Sequence, residues 1–183
     1  LDTADVIVAS GSVPRGVPQD FYARLIREAK AADKPFLLDT SGELLRQGIA
    51  AQPFFIKPNR DEIEALTGRQ VITEEEVAAE VRRFMAAGIP LAVVSLGAAG
   101  SLAGYDGQLY RVSVPKIKAV NPVGSGDSYV AGIAAGLARG LDIDDILKLA
   151  AACGTANAME PESGFVRKAV VEELCGRICV ERL

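Results

Sequence analysis

The segment from Asn121 to Ala138, NPVGSGDSYVAGIAAGLA, joins a glycine-rich turn to a helix of small residues. Because Gly124-Ser125-Gly126 is nearly free of side chains, successive backbone N–H groups can point into one concavity, which predicts an anion site at the helix start. One acid, Asp127, follows directly. An anion site beside a fixed base is what phosphoryl transfer to an alcohol needs, with Asp127 accepting the hydroxyl proton. A plain helix cap is the alternative for Asp127, but it does not account for the glycines.

The sequence contains no histidine, which limits the residue types that could act as a general acid or base. His-based triads and His-containing metal sites are excluded, so Asp, Glu, Lys, Tyr or Cys must act as the base. Two nucleotide motifs are also absent. A P-loop requires Gly-Lys, which does not occur, and G-x-G-x-x-G fails because Tyr129 stands where its last glycine would be. A Rossmann-like dehydrogenase is therefore disfavoured.

Polar or glycine-rich residues follow each predicted strand. Because carboxyl ends of parallel strands meet at one edge of a sheet, they are expected to converge there. The carboxylate and amide oxygens among these residues could support a Mg²⁺ ion that is held largely through water and substrate phosphates. A lysine beside them could supply positive charge to a polyphosphate. Simpler interpretations remain open: a helix cap for Asn59, a helix-dipole partner for Glu62, turn glycines and a solvated lysine. The residues in question are Asp39, Lys57, Asn59, Glu62, Gly97 and Gly100.

The elements that must position these residues alternate between strand and helix patterns. Short apolar runs predict strands at 4–10, 34–40, 53–59 and 91–97, and Asp106–Gly107 predicts a hairpin turn. Amphipathic segments between them predict helices, one with Pro18 in its first turn. Helices are also predicted at about 127–139, at 143–158 and from about 168. This order predicts an α/β fold with a mainly parallel sheet covered on both faces. The 183 residues contain no repeat or linker, so residues 1–183 are expected to form a single domain.

The composition restricts the partners. The 20 basic and 24 acidic residues give a net charge of −4, and no basic run exceeds two residues, which argues against nucleic acid or an anionic membrane. Apolar runs fall short of the roughly 18 residues that span a bilayer. Three cysteines are too few for a disulfide framework and are expected to be buried, reduced thiols of a cytoplasmic protein.

Four motifs in order resemble the PfkB-type carbohydrate kinases of the ribokinase superfamily. They are NPVGSGDSYVAGIA, KPNRDE, VVSLGAAG and SGSVPRGVPQDFYARLI followed by LLDTSGE, and the resemblance covers essentially the whole chain. The last is most similar to the branch of 1-phosphofructokinase, tagatose-6-phosphate kinase and 6-phosphofructokinase-2. The resemblance implies a ribokinase-like three-layer αβα fold with a small hairpin. It also implies transfer of the ATP γ-phosphoryl to fructose 1-phosphate, tagatose 6-phosphate or fructose 6-phosphate.

The resemblance also implies roles for individual residues. Asp127 would be the base, with Gly124, Ser125 and Gly126 as the anion hole. The nucleotide site would be lined by Lys57, Asn59, Ser95, Gly97 and Gly100, with Ala151, Thr155 and Asn157 near the base and ribose. Mg²⁺ would be supported by Asn59, Glu62 and Asp39, and Ser12 would touch the sugar phosphate. Many family members bind a monovalent cation such as K⁺, here through Asn121, Val123 and groups near 157–164.

Several features depart from the family pattern. Asn121 stands where many relatives have Asp, and Arg15 replaces a common proline. Family members also carry an N-terminal part that supplies the lid, most sugar contacts and often the dimer interface. We therefore expect this chain to be the nucleotide-binding portion, inactive in isolation, and the full-length protein to be a homodimer. A non-catalytic or vestigial nucleotide-binding module is the alternative, against which the presence of Asp127 counts.

Overall fold

The computed structural model describes Leu1 and residues 3–183, which cluster into two compact units. The first unit comprises Leu1–Leu96 with Leu102–Leu109, and the second comprises Gly97–Ser101 with Tyr110–Leu183. Across the described residues, seven helices accompany a mixed seven-stranded sheet whose strands lie in chain order. The predicted α/β class is confirmed. The expectation of a single domain over 1–183 stays a prediction.

Four parallel strands order the first unit. They are β1 (Ile7–Ser10), β2 (Phe36–Asp39), β3 (Phe55–Ile56) and β4 (Leu91–Ser95). Each pairs in parallel with the next, with Leu37 opposite Phe55 and Phe55 opposite Leu91. In β2 and β4 all residues but the last are buried, as expected of strands covered on both faces. Their polar carboxyl ends therefore meet at one edge, as predicted.

The predicted hairpin forms between β5 (Ser101–Tyr105) and β6 (Gln108–Ser113), which are neighbours in the sheet. Both residues of its turn have positive φ, 48° at Asp106 and 75° at Gly107. A two-residue turn of this kind matches the right-handed twist of the strands it joins.

Four helices complete the first unit: α1 (Phe21–Ala31), α2 (Gly42–Ala50), α3 (Arg60–Thr67) and α4 (Glu74–Ala86). Their buried faces share a core with the strands, in which Ile26, Leu45, Ile63 and Val81 are almost fully buried. The expected position of Pro18 within the first turn of α1 is wrong. The Phe21 N–H donates to the Pro18 carbonyl at 3.1 Å, so the proline forms a turn ahead of the helix.

The second unit contains α5 (Ser125–Ala138), α6 (Ile143–Ala158), α7 (Lys168–Cys175) and β7 (Cys179–Arg182). Helix α6 has the predicted bounds, whereas α5 begins two residues earlier than predicted. Strand β7, which was not predicted from the sequence, pairs antiparallel with β6, with Val112 opposite Val180. A strand of four residues after Gly176 is too short for its alternation to stand out.

The cysteines are free thiols, and Cys179, on β7, is exposed rather than buried as expected. Cys153 and Cys175 are half-buried. Within Leu1 and residues 3–183, no helix combines the length and apolar character that crossing a membrane requires.

Candidate active site

The predicted anion nest of the second unit is the first turn of α5. Gly124 is the N-cap in the left-handed region with φ of 84°, and Ser125, Gly126 and Asp127 are the first three helical residues. The Ser125 N–H donates to the Pro122 carbonyl at 3.2 Å. The N–H groups of a first helical turn lack an acceptor within the helix, so a helix start of this kind can bind an anion. A methyl group on Gly124 would lie 2.6 Å from the Gly164 nitrogen and would also collide with Ser163 Oγ. The turn therefore requires glycine both for its φ and for its space.

Two side chains of this turn have the chemistry expected of a reacting centre. Asp127 is exposed on the third residue of α5. Ser125 Oγ is buried, and in the part of the chain that the structure describes no group hydrogen-bonds to it. A buried hydroxyl without a partner is costly, and an incoming anion would supply the missing acceptor. The residues present therefore fit a phosphate group.

Asn157, near the end of α6, ties this turn to its surroundings and is fully buried. Its Nδ2 donates to the Val123 carbonyl at 2.9 Å. Its Oδ1 accepts from the Gly164 N–H at 2.7 Å and from Ser128 Oγ at 3.0 Å. The side chain predicted to lie near the nucleotide base is thus engaged within the second unit.

Asn121 holds the chain just before the nest. Its Oδ1 accepts from the Val123 N–H at 3.0 Å, and its Nδ2 donates to the Pro161 carbonyl at 3.0 Å. The oxygens predicted to bind a monovalent cation, Asn121 Oδ1 and the Val123 carbonyl, each accept one hydrogen bond and retain a second lone pair. They lie on one short turn, and their role as cation ligands stays a prediction.

The other predicted nucleotide residues of the second unit are two glycines and two helical residues. Gly100 has φ of 86°, and a methyl group on it would collide with the Val112 carbonyl oxygen. Gly97 has φ of 60° and opens a short 3₁₀ turn to Ala99. Backbone geometry therefore requires glycine at position 100 and favours it at position 97. On α6, Ala151 is buried and Thr155 is half-buried.

In the first unit, Lys57 and Asp39 form an ion pair at the ends of neighbouring strands. Lys57 Nζ lies 3.4 Å from Asp39 Oδ2, and their side chains are 8% and 15% exposed. The interpretation of Lys57 as a solvated lysine is therefore wrong. A buried pair of this kind is stabilised by mutual attraction but depends on both partners.

Asn59 and Glu62 form a reciprocal capping box at the start of α3. The Glu62 N–H donates to Asn59 Oδ1, and the Asn59 N–H donates to Glu62 Oε2, both at 2.9 Å. Asn59 also forms a parallel bridge with Ser95, after the end of β3 and beside the end of β4. The capping interpretation of Asn59 is correct. Asn59 Nδ2 and Glu62 Oε1 are outside the box, so the same residues can still support a ligand.

The loop after β1, which holds Ser12, is fixed through the Gly11 carbonyl. This oxygen accepts from Thr40 Oγ1 at 2.8 Å and from the Tyr22 hydroxyl at 3.2 Å. Ser12 itself is exposed. Neither Thr40 nor Tyr22 was singled out from the sequence. Thr40 directly follows Asp39 at a strand end, which was the available signal.

The carboxylates do not form a ready-made metal cage. Within Leu1 and residues 3–183, no three Cys, Asp or Glu side chains form a group that could hold a metal ion. Mg²⁺ in nucleotide sites is commonly held by one or two carboxylates together with water and the phosphates. Asp39 and Glu62 therefore fit a supporting role rather than a closed site.

Comparison with known proteins agrees with this fold and with these motifs. The family model of the pfkB family carbohydrate kinases matches residues 1–167. A protein from Staphylococcus aureus assigned as a phosphofructokinase is 32% identical, with a TM-score of 0.90 over 97% of this chain and 57% of its own. Phosphofructokinase-2 from Escherichia coli, solved in complex with potassium, is 26% identical, with a TM-score of 0.88 over 94% of this chain and 56% of its own.

The fold is the α/β, ribokinase-like fold of these phosphofructokinase relatives. The chain belongs to the pfkB family of carbohydrate kinases. It spans a little over half the length of these structural relatives, 57% and 56%.

Proposed function

We propose that this chain is the nucleotide-binding part of an ATP-dependent kinase that phosphorylates a hydroxyl group of a hexose phosphate. The observation that carries the proposal is the first turn of α5. There a glycine cap that tolerates no side chain, a buried hydroxyl without a partner and an exposed carboxylate follow one another at Gly124, Ser125 and Asp127.

The chemistry assigns one task to each part of this turn. The backbone N–H groups and Ser125 Oγ donate hydrogen bonds to the oxygens of the transferring phosphoryl group. Asp127 accepts the proton of the sugar hydroxyl while the sugar oxygen forms a bond to the γ-phosphorus of ATP. The bond between the γ-phosphorus and the oxygen that leaves with ADP breaks. A general base of this kind typically accelerates the reaction by about 10²–10⁴-fold.

Mg²⁺ would neutralise charge on the phosphates. Glu62, Asn59 and Asp39 would support it through water, which agrees with a donor set that lacks a three-carboxylate group among the described residues. Lys57, buried beside Asp39, would supply positive charge to a polyphosphate. We assign K⁺ to the Asn121 and Val123 oxygens, because the structurally similar phosphofructokinase-2 from Escherichia coli was solved in complex with potassium.

The proposed sugar is a ketohexose phosphate, because the relatives at 26–32% identity are phosphofructokinases. Fructose 6-phosphate, tagatose 6-phosphate and fructose 1-phosphate are the three to compare. Ser12, on the loop held by Thr40 and Tyr22, would contact the sugar phosphate.

Calorimetry with ATP and Mg²⁺ tests the nucleotide site directly. We expect saturable binding by the chain and its loss in Gly124→Ala, which fills the cradle. Gly68→Ala is the matched control, since Gly68 is also left-handed, with φ of 70°, but has open space around it. Equal loss of binding in both variants, or no binding by the unaltered chain, would refute the proposed nucleotide site.

The base assignment needs a separate measurement. In the full-length protein, Asp127→Asn should keep ATP binding and lower transfer of labelled γ-phosphate to the sugar by about 10²-fold or more. Asp145→Asn, in the first turn of α6, is the control for removing a helix-start carboxylate. Transfer that persists at near-normal rate in Asp127→Asn would exclude Asp127 as the base.

A further inference from the structure

We propose that Asn157 is a positioning residue that holds the anion turn, defined here as residues 121–127, in its binding geometry without touching the nucleotide. This inference rests on the proposed function of the turn as a phosphate site. It assigns to Asn157 a role other than the contact with the base or ribose that the resemblance implies.

The hydrogen bonds of Asn157 enclose Gly124 from both sides along the chain. Val123, whose carbonyl accepts from Asn157 Nδ2, directly precedes Gly124. Ser128, which donates to Asn157 Oδ1, also donates its N–H to the Gly124 carbonyl at 2.9 Å, so it belongs to the first backbone bond of α5. The left-handed glycine thus lies between two residues fixed by one side chain.

A third bond joins the anion turn to the segment that packs against it. Gly164 donates its N–H to Asn157 Oδ1 at 2.7 Å, and its nitrogen is one of the atoms with which a methyl group on Gly124 would collide. Asn121 reaches the same segment through the Pro161 carbonyl. Asn157 therefore sets the spacing between the anion turn and the segment 161–164.

The chemistry of the site requires an amide. Two donors, a hydroxyl and an N–H, face Oδ1, and a carbonyl faces Nδ2, so the partners fix the orientation of the amide. Aspartate would place an oxygen against the Val123 carbonyl, and an aliphatic residue would leave several buried polar groups without partners. The matching of both ends explains why a polar side chain is fully buried here.

Burial also separates this role from direct ligand contact. The Asn157 side chain has no exposed surface, and both lone pairs of Oδ1 are used within the second unit. A nucleotide could bond to it only by displacing one of these partners. Asn157 should therefore affect nucleotide affinity only by holding the anion turn in place, and this turn would bind the phosphates.

Affinities for three probes separate positioning from contact. We would measure ATP, inorganic triphosphate and adenosine by calorimetry in Asn157→Asp. We expect the affinities for ATP and triphosphate to fall about tenfold or more, and that for adenosine to change less than about twofold. An equal loss for adenosine would overturn the proposal in favour of contact with the base or ribose. Unchanged affinity for all three would also overturn it.

The matched control is Leu147→Ala, on the same helix and fully buried. It should lower the melting temperature yet leave the ratio of ATP to adenosine affinity unchanged, because it creates a cavity away from the turn. Ser128→Ala removes one of the three hydrogen bonds of Asn157. Like Asn157→Asp, it should lower the ratio of ATP to adenosine affinity, but by a smaller factor. It also tests the proposal if Asn157→Asp does not fold.

Hydrogen exchange of the ligand-free chain tests positioning independently of nucleotide binding. We expect the hydrogen-bonded amides at positions 123, 125 and 128 to exchange about tenfold faster in Asn157→Asp or Ser128→Ala than in the unaltered chain, and at unchanged rates in Leu147→Ala. Unchanged protection in both turn variants would refute the positioning role. If the unaltered chain binds no ATP, the proposed function fails, whereas this exchange result still decides whether Asn157 orders the turn.

Discussion

Gly132 on α5 lies directly against the backbone of Ala150 on α6, where a methyl group on the glycine would be 2.5 Å from the Ala150 Cα. The two helices can approach this closely because glycine presents no side chain. The contact lies on α5, about two helical turns after its N-cap Gly124. It therefore helps to fix the direction from which α5 presents its amino end.

Gly132→Ala tests this contact. Despite the higher helix propensity of alanine, we expect a loss of about 1–3 kcal/mol in unfolding free energy, because the backbone of Ala150 must move. Gly136→Ala is the comparison. There the nearest atom belongs to the Ile146 side chain at 2.9 Å, which can rotate, so the loss should be smaller. Urea denaturation measures both, and the reverse order of stabilities would contradict the packing argument.

Variants of Asn59 in the capping box of α3 can separate the contribution of this residue to folding stability from its contribution to ATP binding. Asn59→Ala should cost about 1 kcal/mol of unfolding free energy, whereas Asn59→Ser should retain most of the cap. If Asn59 also supports nucleotide and Mg²⁺, both variants should bind ATP more weakly. Denaturation and calorimetry report the two effects independently.

The control for this prediction is the second capping box of the chain. Thr73 and Glu76 form the same reciprocal bonds at the start of α4. Thr73→Ala should lose similar stability and keep its ATP affinity. If Thr73→Ala weakens ATP binding as much as Asn59→Ala, the effect at Asn59 is one of folding.

The buried ion pair predicts strong dependence of Lys57 and Asp39 on each other. Lys57→Met removes the cation that lies 3.4 Å from the largely buried Asp39 carboxylate, and we expect a loss of about 3–5 kcal/mol in unfolding free energy. The double variant Lys57→Met with Asp39→Asn should recover part of it. Lys148→Met breaks an exposed pair with Asp145 and should cost less than about 1 kcal/mol. Additive losses in the double variant would show that the pair is not coupled.

Tyr129 predicts a loss of stability at high pH. Burial raises the pKa of its hydroxyl from 10.0 to about 12, although the hydrogen bond with Ser101 Oγ acts in the opposite direction. The unfolded chain therefore loses this proton first. The stabilisation is complete below pH 10 and disappears as the pH rises towards 12.

The size of this effect follows from the shift in pKa. A difference of about two units corresponds to about 2–3 kcal/mol of unfolding free energy. Denaturation curves between pH 9 and 12 should show a steeper loss for the unaltered chain than for Tyr129→Phe, which cannot ionise. Parallel pH profiles for the two proteins would show that Tyr129 is not the group responsible.

Local chemistry made much of this structure predictable. The capping residue Asn59 and the hairpin turn at Asp106 occur where their short-range patterns placed them. These features depend on hydrogen bonds within a few residues. The first residue of α5 was harder to predict, because the local sequence after Gly124 is also compatible with a loop that continues for two more residues.

Long-range pairing accounts for what the sequence did not reveal. The partner of Lys57 lies on another strand, and the bonds of Asn157 join positions up to 34 residues apart. Strand β7 exists because β6 offers an edge to pair with, and its four residues carry little pattern of their own. Such relationships depend on tertiary packing, which no local window of sequence contains.

The contacts around Gly124 also have a consequence for protein engineering. A designer who transplants residues 121–127 onto the amino end of another helix would carry over the glycines and the acid. The transplant would lack the amide that fastens Val123 to Ser128 and the backbone of Gly164 behind the turn. This seven-residue stretch is therefore not portable by itself, and a graft that keeps its shape must bring its buried asparagine with it.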